Sequence, residues 1–379
     1  MNAPGTARQL AAGLLRSAPL LSIVVPTFNE RDNIAPLVDR LHDSLRGLDW
    51  EVVFVDDDSP DGTAEAVREI AAVDTRVRCL QRIGRRGLSS ACIEGMLSSS
   101  APYLAVMDGD LQHDERLLPA MLLALQGEPL DVVVGSRYVE GGGLGTFGAH
   151  RIAISRLATR VSHLVVPATL RDPMSGFFAI RRDAFMGCVR QLSAMGFKIL
   201  VDLFASSPRP LRFRELPFTF RERIAGQSKL DTQVAWDYGM LLLDKLVGHV
   251  VPVRFIAFSL IGSLGVLVHL VVLGLLFRAL GADFVASQLS ATLVAMVFNF
   301  ALNNRITYRD RQLHGLRWVR GLASFMAACS VGALANVGMA AWLYQHEQGW
   351  LLAALAGILV GAVWNYAITA VYTWGRARP

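Results

Sequence analysis

The feature that most constrains this chain is where its charge is missing. Residues 255–277, 285–302, 322–344 and 351–372 contain no Asp, Glu, Lys or Arg, and His269 is the only ionisable side chain in the first of these runs. As helices, such runs can cross a hydrocarbon core of roughly 30 Å. Buried helices of a soluble bundle are the alternative, but four such blocks in one chain predict four membrane spans. Composition agrees, with 53% hydrophobic and only 18% charged residues overall. A soluble α/β protein carries more charge than that.

The charges beside the spans predict their orientation. Arg305, Arg309, Arg311, Arg317 and Arg320 crowd the second connection. Lys245 and Arg254 precede the first span, and Arg376 and Arg378 follow the last. The other connections hold only Arg278 with Asp283, and Glu347. Positive residues stay inside, so both termini and the N-terminal half are expected on the cytosolic side of the cytoplasmic membrane. The net charge of +5 is therefore read as membrane orientation, and no nucleic-acid partner is expected. Cys79, Cys92, Cys188 and Cys329 form no CxxC pair, which argues against a disulfide framework or a zinc site. The apolar stretch near residues 11–15 is cut by Arg16 and makes no clean secretory signal. No internal repeat is recognised, and no low-complexity tract.

Before about residue 250 the pattern changes. Leu21–Pro26 and Glu51–Asp56 read as buried strands. Further strands are expected at Val77–Leu80, Tyr103–Met107 and Asp131–Val134, with helices at Thr63–Val73, Leu88–Ser98 and Arg116–Leu125. This alternation predicts a mostly parallel sheet covered on both faces, with ligands at the carboxyl ends of its strands. Acidic clusters lie at those ends: Asp56-Asp57-Asp58 after one strand, and Asp108-Gly109-Asp110-Leu111-Gln112 after another. Carboxylate and amide oxygens suit a hard cation, Mg²⁺ or Mn²⁺. A solvated turn or helix cap is the plain alternative for an isolated Asp-x-Asp. The second acidic cluster, and the arginines downstream, favour the cation site.

Pro26-Thr-Phe-Asn-Glu30, Val55-Asp-Asp-Asp-Ser-Pro-Asp-Gly-Thr63 and Met107-Asp-Gly-Asp-Leu-Gln-His113 resemble, in order, the signatures of family 2 glycosyltransferases. More narrowly they resemble the dolichol-phosphate mannose synthases and their polyprenyl-phosphate relatives. The resemblance continues through Gly135-Ser-Arg137, Arg151, Asp172-Pro-Met-Ser-Gly176 and Arg223-Ile-Ala-Gly-Gln-Ser-Lys229. Asn299-Phe-Ala-Leu-Asn-Asn-Arg-Ile-Thr-Tyr308 is similar to the signature of GtrA-like four-span domains.

The resemblance implies an α/β, Rossmann-like nucleotide-sugar transferase domain of the A type, followed by a four-helix transmembrane domain. The expected boundaries are a tail at 1–19, the cytosolic transferase at 20–232, an interfacial helix or linker at 233–254, and the membrane domain at 255–374. Carried over position by position, it places Asp56 and Asp57 beside the nucleoside. Pro26, Asn29 and Glu30 lie beneath the base, and Asp108 faces the ribose and diphosphate. Asp110 and Gln112 ligate the metal. Arg137 and Arg151, with Ser155, hold the acceptor phosphate, and Arg223, Ser228 and Lys229 close over the donor phosphates. Asp110, Arg137 and Arg151 carry the chemistry. Asp172 and Ser175 either touch substrate or shape their loop, and His113 supports. Asp202 stands where many relatives carry Glu, with a sugar-hydroxyl contact as one role.

The implied reaction is inverting transfer of a hexose to a polyprenyl or dolichyl phosphate at the lipid bilayer. GDP-mannose is the favoured donor, on the stretch Arg86–Gly95. UDP-glucose is the alternative donor, and a lipid-linked sugar flippase with an inactive transferase domain is the alternative of another class. Asn299, Asn303 and Asn304 either serve function or hold helices together.

Overall fold

The computed structural model describes residues 18–143, 158–194, 196–221, 232–248, 251–346 and 350–375. The chain divides into two compact units, Met1–Leu246 and Val247–Pro379.

In the first unit, strands β1 (Leu21–Thr27), β2 (Trp50–Asp56), β3 (Val77–Gln81), β4 (Tyr103–Val106), β5 (Val132–Ser136), β6 (Phe178–Arg181) and β7 (Phe213–Pro217) form one sheet. Their order is β3-β2-β1-β4-β6-β5-β7. The pairs β1–β2, β1–β4, β2–β3 and β5–β7 are parallel, and only β6 runs against its neighbours. The helices between them are α1 (Arg31–Ser44), α2 (Thr63–Ala71), α3 (Leu88–Ser98), α4 (Leu118–Gly127), α5 (Arg182–Cys188) and α6 (Ile199–Ser206). Successive residues of one strand enter opposite cores. Val24, Val53, Val55, Leu104 and Val106 share one with Ala91 and Met96 of α3. Ile23, Val25, Val52, Phe54 and Ala105 share the other with Leu37 and Leu41 of α1. Burial on both faces is why these strands read as unbroken apolar runs.

Helix α7 (Thr232–Val247) falls in the segment expected to be an interfacial helix or linker. Leu241 and Leu242 are instead spent on the sheet's core, 0% and 5% exposed. Tyr238 Oη donates to Ala158 O at 2.8 Å. Lys245 Nζ lies 2.7 Å from Asp202 Oδ1. That carboxylate also accepts from Ser193 N, Ala194 N and Ser206 Oγ. Asp202 is fully buried, so it clamps α7 to α6 and has no surface for a sugar.

The second unit contains α8 (Val253–Gly274), α9 (Phe284–Arg305), α10 (Leu316–Gln345) and α11 (Trp350–Ile368). Four helical stretches, Val253–Ala279, Phe284–Arg305, Leu316–Met339 and Leu355–Thr373, are long and apolar enough to cross a membrane. Leu267, Leu270, Val271, Leu334, Val337 and Leu359 are each more than half exposed, which a water-facing surface would not sustain. The chain is a membrane protein.

Two segments of this unit are built alike. Phe298-Asn-Phe-Ala-Leu302 with Thr307-Tyr308 matches Trp364-Asn-Tyr-Ala-Ile368 with Thr373-Trp374 at identical spacing. The two segments build equivalent contacts. A Cβ on Gly265 of α8 would stand 2.2 Å from Asn299 Oδ1 of α9, and one on Gly332 of α10 would stand 2.0 Å from Asn365 Oδ1 of α11. Asn303 Nδ2 donates to Asn299 O at 2.9 Å, and Thr369 Oγ1 donates to Asn365 O at 2.6 Å. The likeness is faint in the sequence because apolar positions in lipid exchange freely among Leu, Ile, Val and Ala. Only the few polar and small positions keep the register.

Asn304 joins the ends of these hairpins. Its Oδ1 accepts from Leu313 N and Trp374 Nε1, and its Nδ2 donates to Leu313 O. Trp374 stacks on Tyr308 at 4.1 Å between centroids. The geometry of Asn303 and Asn304 is that of structural hydrogen bonding.

Candidate active site

The carboxyl ends of β2, β1 and β4, adjacent in the sheet, share an unusual backbone feature. Asn29 (φ 57°), Asp58 (φ 58°) and Leu111 (φ 63°) all adopt the left-handed region, and Ala194 is the only other non-glycine to do so among the described residues. Each such residue costs on the order of 1 kcal/mol or more, a cost that concentrates at functional sites. Here it turns the chain sharply just past three neighbouring strands.

The turn after β2 is held by its own acids. Asp56 is fully buried and accepts from Ser59 N (2.9 Å), Ser59 Oγ (2.5 Å) and Thr27 Oγ1 (3.4 Å). Asp57 accepts from Gly87 N at 2.6 Å and pairs with buried Arg82 at 3.1 Å. Burial raises the Asp57 carboxyl above the usual carboxylate range, against the pull of the Gly87 N–H and Arg82. Asp58 Oδ2 accepts from Gly84 N. Of the two acids expected beside a nucleoside, Asp57 joins Asp58 in fastening the 82–87 loop to β2, while the Asp56 carboxylate closes its own turn. The β1 end joins them, as Asn29 N donates to Ser59 Oγ and Glu30 N to Thr63 Oγ1. Pro26 is half-buried beneath these turns. Arg86 lies over the Phe28 ring at 4.2 Å.

The turn after β4 carries the expected metal ligands. Asp110, 6% exposed, accepts from Gln112 N at 3.2 Å. Gln112 Nε2 donates to Arg221 O at 3.0 Å, which leaves the amide oxygen as the end available to a hard cation beside Asp110. The donor set fits Mg²⁺ or Mn²⁺ with the remaining positions left to phosphate and water. Among the described residues, no three His, Cys, Asp or Glu side chains group to hold an ion without substrate. Gly109 packs against β1, where a Cβ would meet Thr27 Cγ2 and Val25 Cγ1 at 3.3 Å. Packing, more than approach to a ligand, sets that glycine.

Asp108 keeps 35% of its side chain exposed, and its carboxyl is held above the ordinary range. The surrounding protein is the main cause, and Asp110 adds to it, while His113, Lys198 and Arg137 oppose it. Asp108 N donates to His113 Nδ1 at 3.0 Å, so a neutral ring carries its proton on Nε2. His113 is 2% exposed, stacks on Phe177 at 5.1 Å and meets Phe218 and Phe220 edge-on. Burial lowers its pKa. It supports Asp108 and is a poor proton carrier.

Arg137, just past β5, is not an open guanidinium. Its Nε and Nη2 donate to the two Asp172 oxygens at 2.8 Å each, and its backbone N donates to Asp172 Oδ2 at 3.0 Å. Asp172 is fully buried with both oxygens on Arg137, so its described contacts shape the site. Ser175, 4% exposed, donates to Gly135 O at 2.6 Å and does likewise. Arg137 Nη1 makes no described hydrogen bond, and a guanidinium held in this way is suited to phosphate. At Gly176 a Cβ would stand 3.2 Å from Asp108 Oδ2, so this loop ties the β5 end to the β4 end. Arg221 bonds to Asp114 and Glu115, an anchor for Gln112 that local sequence patterns did not reveal. Arg151, Ser155, Arg223, Ser228 and Lys229 lie outside the described residues.

Residues 22–188 match the model of the family 2 glycosyl transferases, and residues 257–374 match the GtrA/DPMS transmembrane domain. Dolichol-phosphate mannosyltransferase of Pyrococcus furiosus is 34% identical over 358 residues, covering 93% of this chain and 99% of that one. The Mycosarcoma maydis protein of the same name is 35% identical, covering 65% of this chain and 86% of its own length. That of Saccharomyces cerevisiae is 35% identical, covering 57% and 83%.

Proposed function

The chain belongs to the dolichol-phosphate mannosyltransferases, family 2 glycosyltransferases with a GtrA-like membrane domain, and from that premise we propose that it transfers mannose from GDP-mannose to a polyprenyl phosphate with inversion. The observation that carries the reading is the Asp108–Gln112 turn. Its amide oxygen is left available beside Asp110, and it stands across the Gly176 contact from the Arg137 fork.

A phosphate monoester has its second pKa near 6, so it is largely ionised at neutral pH and needs no strong general base. The chain must hold two anionic groups close together and favour departure of the nucleoside diphosphate. Asp110 and Gln112 would hold a divalent cation, which offsets charge on the leaving diphosphate. Arg137, oriented by Asp172, would align the lipid phosphate, with Arg151 and Ser155 as its partners. Asp108, kept in place by His113, faces the donor. Arg223, Ser228 and Lys229 would cover its phosphates, with Asp56, Asp57, Pro26, Asn29 and Glu30 shaping the nucleoside end. This unit would face the cytosol at the cytoplasmic membrane, a reading that the positive-inside pattern supports.

The test is incubation of purified protein with labelled GDP-mannose or UDP-glucose, a polyprenyl phosphate and Mg²⁺ or Mn²⁺. A β-linked mannosyl lipid phosphate is expected, lost on chelation. Glucose transfer in place of mannose transfer corrects the donor. No lipid product with either donor overturns the transferase reading.

A further inference from the structure

Lys198 stands immediately before α6, and no motif gives it a task. It is half-buried, and its ammonium makes one described hydrogen bond, 3.3 Å to Met174 O. Met174 is the centre of the loop Asp172–Gly176. Two residues before it, Asp172 clasps Arg137. Two residues after it, Gly176 stands against the Asp108 carboxylate, where a Cβ would meet its oxygens at 3.2 and 3.3 Å. The loop that clasps Arg137 and packs on Asp108 therefore also holds the Lys198 ammonium, which is within electrostatic reach of both.

That is a costly place for a cation with one carbonyl partner. An ammonium has three donors, and a desolvated charge is unfavourable unless paired. Burial, with Arg137 nearby, pushes the Lys198 pKa below its ordinary value. Of the two acids that act on it, Asp172 already has both oxygens engaged by Arg137, and Asp108 makes no described hydrogen bond to it. An incoming anion would offset the cost.

We propose that Lys198 contacts substrate, its ammonium donating to a phosphate oxygen at the reaction centre. The oxygen belongs either to the donor diphosphate or to the lipid phosphate. The proposal rests on the transferase reading above. The plainer role, pinning Met174 O, needs a hydrogen-bond donor but no charge, and Lys198→Gln separates the two.

The experiment measures kcat and both KM values for wild type, K198Q and K198R, with GDP-mannose and polyprenyl phosphate varied in turn, alongside thermal melting. K198Q should melt within a few degrees of wild type yet show one KM raised about 10- to 100-fold, the worth of a charged hydrogen bond. K198R should recover part of that loss. A rise confined to the acceptor KM assigns the lipid phosphate, and a rise in the donor KM with weaker GDP binding assigns the diphosphate. An inactive wild type sinks the transferase reading, whereas an active wild type matched by K198Q in all three constants sinks the Lys198 proposal. If K198Q melts far below wild type, protection of wild-type Lys198 from amine acylation decides instead. Protection by GDP or by polyprenyl phosphate supports the contact, and protection by neither overturns it.

Discussion

The two units bury polar groups in different currencies. In the N-terminal unit the buried polar residues include Asp56, Asp57, Arg82, Asp110, Asp131, Asp172 and Asp202. Each described acid there is met by a guanidinium, an ammonium, a hydroxyl or a backbone N–H. In the membrane unit the buried polar residues, among those described, are Ser287, Asn303, Asn304, Thr307, Thr369 and Thr373. All are neutral, and several bond to a carbonyl one turn earlier in their own helix. Water at the rim lets the first unit ionise its groups and then pair them. In lipid an unpaired charge costs too much, so amides, hydroxyls and glycine contacts hold the helices.

The comparison can be pressed hardest at Asp110, whose charge is read as serving chemistry and not the fold. Asp110→Ala should lower turnover by about 10²- to 10³-fold while changing stability by less than about 1 kcal/mol. Labelled lipid product and a melting curve read the two. A protein that loses both would mean the site's charges are structural after all.

A charge read as structural should behave oppositely. Among the described residues, Lys245→Met leaves the fully buried Asp202 carboxylate with Ser193 N, Ala194 N and Ser206 Oγ. A loss of about 3 kcal/mol is expected, and Asp202→Asn in the same chain should return much of it. Unchanged melting would break the contrast on the soluble side.

On the membrane side, Gly332→Ala forces a methyl into the Asn365 amide and should cost about 2 kcal/mol. Asn365→Ala alone should cost less, and the double variant should recover most of the loss. A tolerated Gly332→Ala, measured by melting in detergent, would remove the glycine contact from the argument.

The smallest effect is electrostatic. Asp131 is 2% exposed at its side chain and is gripped by Arg209 and Arg212. These hold its carboxyl well below the usual range. A depressed folded-state pKa gives stability that is fully present above the unfolded value of about 4 and is lost as pH falls below it. Both arginines are more than half exposed, so solvent screening limits the term to about 1 kcal/mol. Asp131→Asn should flatten the acid side of a melting-temperature profile by that amount. An unchanged profile would mean the pair contributes nothing.

Much of this was legible in one dimension. The strands β1 to β5 lie within a residue or two of their expected places, because each is an apolar run closed by a polar turn. β6 was not, being four residues between a turn and a helix. Nor was β7, a five-residue edge strand with Arg214 and Glu215 side by side and a proline at its end. Asp110 and Gln112 are close in sequence and were found together. The Arg137–Asp172 clasp spans 35 residues, and Arg221 reaches Gln112 across 109. Neither leaves a local pattern. Lys198 leaves no local pattern for a related reason, since in sequence it is only the residue before a helix and its partner in space belongs to a distant loop.

The paired glycine–asparagine contacts bear on how the membrane half is made. Each closes between consecutive spans, so only two spans need leave the ribosome before the first lock can form. The second pair then repeats the operation.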